Sequence, residues 1–93
     1  MPKNCPNCCR ALEDLAQEIR MMAAKDPLVS RVAARMDVEL QAAIAEADKD
    51  TQDLRFILTK LNSAQTFLAG VASARSLQNN FAETITLVKS HLP

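Results

Sequence analysis

Leu12, Leu15, Ala16, Ile19, Met22 and Ala23 recur at intervals of three and four residues, with Glu13, Asp14, Gln17 and Arg20 off that stripe. Apolar residues with this period line one face of an α-helix, so the pattern predicts a first helix over about residues 8 to 25. Asp26-Pro27 follows. An aspartate cap and a proline at the first helical position, where its missing N–H costs nothing, open a second helix there. Its stripe is Val29, Val32, Ala33, Met36, Leu40, Ala43, Ile44 and Ala47, with Val32 expected near its centre. Arg35 and Glu39 are spaced to pair one turn apart.

The third stripe is Leu54, Ile57, Leu58, Leu61, Ala64, Leu68, Val71 and Ala72, widened by Phe56 and Phe67. Asp50 is the expected cap, with Asp53 beside the positive helix end. No charge falls between Leu61 and Ala74, which suits a central helix contacted on several sides. Asn80 with Glu83 three residues on reads as a capping box for a last helix. Its apolar seam is Leu77, Phe81, Ile85, Val88 and Leu92.

No strand-like alternation appears, so the expected class is all-α: a small antiparallel bundle of four helices in up-down-up-down order. Arg75 to Asn79 holds no strong breaker, and a fused third and fourth helix is the alternative. Residues 1–9 read as a cysteine-containing segment and 10–93 as one helical domain. Only about 60 to 65% of the unfolded surface of so short a chain is buried on folding. Oligomerisation, most simply a homodimer, is therefore expected.

Charge adds an asymmetry to this pattern. Of 22 charged side chains only Arg75, Glu83 and Lys89 lie in the last 33 residues, although lysines and arginines balance aspartates and glutamates at 11 each. The charge-poor third is expected to face other protein, either its own core or a second chain. Phe67, Ala69, Gly70, Ser73 and Ala74 are the candidate interaction surface, the small residues permitting close approach of another helix. No basic stripe of the nucleic-acid-binding kind is present, and no window reaches the roughly 18 apolar residues of a membrane span. The start MPKNCPNCCR lacks the apolar core of a secretory signal, which favours a cytoplasmic protein with reduced thiols.

Chemistry is confined to Cys5, Cys8 and Cys9. A C-x-x-C pair chelates soft metals or closes a dithiol, and the positive end of a helix favours thiolate. With His91, which an antiparallel bundle places at the same end, these make four potential zinc ligands. Consecutive Cys8 and Cys9 point about 100° apart on a helix, and a second C-x-x-C is missing. Ordinary thiols decorating a fraying terminus are accordingly the leading expectation, with no cofactor. One histidine and no nucleophile-elbow context argue against an enzyme. The expected function is a small protein–protein interaction module of adaptor, co-chaperone or regulator type, binding itself and another protein. A thiol-based metal or redox sensor built on the cysteine cluster is the alternative.

Overall fold

The computed structural model describes residues 5–92. They form four α-helices, α1 (Cys8–Ala23), α2 (Pro27–Ala47), α3 (Leu54–Thr66) and α4 (Arg75–Ser90), with a 3-10 turn over Ala72–Ala74 leading into α4. No strand occurs among the described residues. The third and fourth helices are separate.

The second helix starts where the sequence places it. Asp26 sits in extended backbone and its Oδ1 accepts the Leu28 N–H at 2.9 Å, with Pro27 in the first turn. The third is capped by Asp53 rather than Asp50: Asp53 Oδ1 accepts the Phe56 N–H at 3.1 Å. The Asp53 N–H itself donates to Glu46 Oε2 at 2.9 Å, which pins that residue at the helix start. Glu39 pairs with Lys60 of α3 at 3.2 Å, not with Arg35, because α2 packs on α3 there.

The uncharged run from Leu61 to Ala74 is not one helix. After Thr66 the N–H groups of Phe67, Leu68 and Ala69 reach back only three residues, a tightening typical of helix ends. Gln78 Nε2 on α4 then donates to the carbonyls of Leu68 at 2.8 Å and Val71 at 3.4 Å. A side chain from the next helix thus satisfies a non-helical turn, and Gly70 lies in that turn. The capping box at Asn80 is likewise absent. Helix α4 begins five residues earlier, and the Asn80 amide bonds across to Glu18 of α1 at 2.6 and 2.8 Å.

Each helix packs on two neighbours: α2 on α1 and α3, and α4 on α3 and α1. Leu12 and Ile19 of α1, Met36 and Leu40 of α2, Ile57 and Leu61 of α3, and Leu77 and Phe81 of α4 are at most 1% exposed. Leu68 and Val71, the far end of the third apolar stripe, are buried in this same core. Val32 is only partly buried against it. Cys5 and Cys8 belong to it too, so the expected division at residue 9 runs through α1 and through continuous packing. The accessible surface is 5654 Å², against about 5300 Å² for an ordinary folded monomer of this mass.

Candidate functional site

The N-terminal turn is where the molecule concentrates its unusual groups. Cys5 and Cys8 are joined in a disulfide, with their Cα atoms 5.4 Å apart, within the usual span. The Cys8 N–H closes the turn onto the Cys5 carbonyl at 3.2 Å, and the Ala11 N–H begins the helical ladder on the Asn7 carbonyl at 3.1 Å. Asn7 makes no side-chain cap. Its place is taken by a covalent link that holds Pro6 and Asn7 outside while both sulfurs face the core. Cys5 and Cys8 are each 0% exposed.

This overturns two expectations. The pair is not a decoration on a fraying end, because apolar burial of both side chains and the link between them fix the turn. Nor are all three cysteines reduced. The residues suggested as zinc ligands are also not assembled: Cys5 and Cys8 bond to each other, while the Cys9 thiol donates to Glu13 at 3.1 Å. His91 is exposed at the end of α4, its backbone N–H bonded to the Val88 carbonyl at 3.1 Å. Among the described residues no three His, Cys, Asp or Glu side chains are grouped to hold a metal ion.

Gln52 completes the site, and sequence reasoning missed it. It is 4% exposed and, with Thr84, makes up the buried polar residues among those described. A buried amide must find hydrogen-bond partners. Gln52 Oε1 accepts the Cys5 N–H at 2.7 Å, and Nε2 donates to the Cys5 carbonyl at 3.2 Å and to the Ala47 carbonyl at 2.6 Å. Ala47 ends α2, where carbonyls lack helical partners. One side chain therefore ties the disulfide turn to the α2–α3 corner. A glutamine inside the polar run Asp48 to Asp53 carries no local signal of this, since the Cys5 peptide it binds lies 47 residues away.

The proposed C-terminal surface is dispersed. Ala69, Gly70 and Ser73 are exposed, Phe67 is half-buried and Ala74 is fully buried. A Cβ added to Gly70 would meet nothing within 4 Å, so within the chain no helix approaches it closely. The Ser73 hydroxyl donates to Asp26 Oδ2 at 2.5 Å, tying the turn before α4 to the turn before α2. That bond, and then the Leu28 N–H, hold the Asp26 carboxyl below its ordinary pKa. Glu46 is lowered similarly, first by the Asp53 N–H and next by Lys49.

A shallow cleft of about 310 Å³ between α1 and α4 is lined by Asp14, Glu18, Asn80, Glu83 and Thr84 with Ala11 and Leu15. Both oxygens of Glu18 are occupied by Asn80. No helix is long and apolar enough to cross a membrane among the described residues. No family model, curated protein or solved structure matches this chain.

Proposed function

We propose that the chain is an antiparallel four-helix bundle that serves as a non-enzymatic interaction module, binding another protein through the outer face of α2. Side-chain pairing supports the antiparallel arrangement. Glu46 meets the Asp53 N–H beside the α2–α3 turn, and Glu39 meets Lys60 two helical turns further from it along both helices.

The observation that carries the function is the row Leu28, Arg31, Arg35 and Val38. At 100° per residue these four fall within an arc of about 80°. Leu28 is 48% and Val38 69% exposed, and both arginines are exposed and enter no ion pair among the described residues. Arginine beside apolar side chains is the composition enriched at protein interfaces. By contrast the charge-poor third exposes no large apolar side chain among its described residues. In a two-fold pair of copies, Arg31 and Arg35 would approach their own kind. A partner helix bearing carboxylates satisfies the face better than a homodimer does.

Leu28→Glu combined with Val38→Glu tests this. Surface changes of this kind leave folding stability nearly unaltered. The double variant is expected to keep its melting temperature and lose the proteins that co-purify with the wild type from its native cells. Unchanged co-purification sinks the α2 face. Light scattering at micromolar concentration separates the two partners: a mass near 10.2 kDa excludes self-pairing, and a stable dimer abolished by the same substitutions replaces the acidic partner with a second copy.

A further inference from the structure

The Cys5–Cys8 disulfide is well placed to govern more than its own turn. It spans only three residues in sequence, so its constraint on the whole unfolded chain is small compared with that of a bridge closing a long loop. Its local constraint is large. It fixes the Cys5 peptide, whose N–H and carbonyl both bond to Gln52, and Gln52 in turn holds the terminal carbonyl of α2. The next residue, Asp53, caps α3 and is itself bonded to Glu46. Disulfide, Gln52 and Asp53 thus form a continuous path from the N-terminal turn to the start of α3. A bridge closing a single short turn at the edge of the helical ladder requires only local opening to be reached.

We propose that the Cys5–Cys8 disulfide is a redox latch on the α2–α3 corner, opened by thiol–disulfide exchange with a dithiol reductant. A thiolate of the reductant attacks one sulfur, the Sγ–Sγ bond breaks, and its electron pair leaves on the other sulfur, which takes up a proton. The second thiol of the reductant, as thiolate, then attacks the mixed disulfide and releases the first sulfur. Two electrons and two protons pass to the protein, giving two thiols, and the reductant becomes a cyclic disulfide. With the link open, the Cys5 peptide is no longer held against Gln52, and the corner loses its anchor. The N-terminal turn and residues 48–57 loosen together, while the packing of α1 on α4 persists.

Hydrogen exchange of the full chain, oxidised and after dithiothreitol treatment, tests the latch, with alkylation and mass measurement counting the thiols. Reduction is expected to add two alkylated thiols and to speed exchange in residues 48–57 at least tenfold, leaving α4 unchanged. In Gln52→Ala those residues exchange rapidly before reduction and gain nothing from it. The wild-type comparison decides alone where that variant does not fold. A disulfide inert to dithiothreitol, loss of protection throughout the chain, or a change confined to residues before α1 each overturns the proposal and leaves a structural staple.

Discussion

The first 60 residues and the last 33 solve the same problem with different surfaces. The first part carries nineteen of the charges, yet it also holds the large apolar side chains that face solvent, Met21, Leu28, Val38 and Phe56. The last part has three charges, and among its described residues no large apolar side chain is exposed. The exposed positions of α4 are Ser76, Asn79, Ala82, Thr86 and Ser90 together with all three charges, Arg75, Glu83 and Lys89. Neutral hydroxyls and an amide, with those three charges between them, form the solvent face of α4. Charge depletion thus accompanies a change in surface chemistry, from ionised groups toward hydroxyls and amides.

The sharpest way to break this contrast uses two neighbours on α2. Leu40 is 0% exposed and Val38 is 69% exposed. Leu40→Asp places an unpaired carboxylate in the core, at a cost of several kcal/mol, comparable with the roughly 5 to 14 kcal/mol that stabilises a chain of this length. It is expected to abolish the cooperative melt followed by circular dichroism. Val38→Asp is expected to stay within about 0.5 kcal/mol of wild type. Val32, half-buried beside the core, should fall between them. Equal effects at residues 38 and 40 would mean that α2 is covered on its outer face as well.

Much of this was legible in the chain itself, and the limits have a common cause. The stripes of α1 and α2, that of α3 as far as Ala64, and the Asp26-Pro27 start depend on neighbours within a few residues, and the structure keeps them. The failures involve groups satisfied from a distance. Asn80 looks like a cap until Glu18, 62 residues away, takes its amide. The run from Phe67 to Val71 looks helical until Gln78 of the next helix takes its carbonyls. Asp50 and Asp53 are equivalent in sequence, and only the bond from the Asp53 N–H to Glu46 separates them. For the candidate site, the cysteines were visible, but the link between Cys5 and Cys8 and the tie to Gln52 were not. Periodicity records which face is buried and does not record the partner.

A second test concerns the N-terminal turn as part of the charged region's core. Replacing Cys5 and Cys8 by alanine removes a link closing a very short loop, worth about 2 kcal/mol on the chain-entropy estimate. Urea titration should find a folded protein destabilised by about that amount. A change below about 0.5 kcal/mol would restore the picture of a fraying terminus.

Gly70→Ala probes the charge-poor side with a smaller, opposite effect. No glycine among the described residues has positive φ, and a Cβ at Gly70 has open space around it. Alanine should therefore stabilise the fold by about 0.4 to 1 kcal/mol, chiefly by restricting the unfolded chain. If the melting temperature rises as expected while a measured binding activity is lost, the small-residue surface regains its role as a contact.

The smallest expected effect joins the two regions through Asp26 and Ser73. The Ser73 hydroxyl and the Leu28 N–H favour the charged carboxylate, so the folded pKa of Asp26 lies below the ordinary aspartate value. A depressed carboxyl pKa stabilises the fold above the unfolded value, and that contribution fades as pH falls through the folded one. Ser73→Ala removes the largest of the causes that lower it. Its urea midpoint should fall below that of wild type at pH 7, and the gap should narrow as both proteins are taken toward pH 2. A gap that is constant across this range would assign the Ser73 bond to packing of the turn alone, and the charged and charge-poor regions would then be coupled through the core without help from this carboxylate.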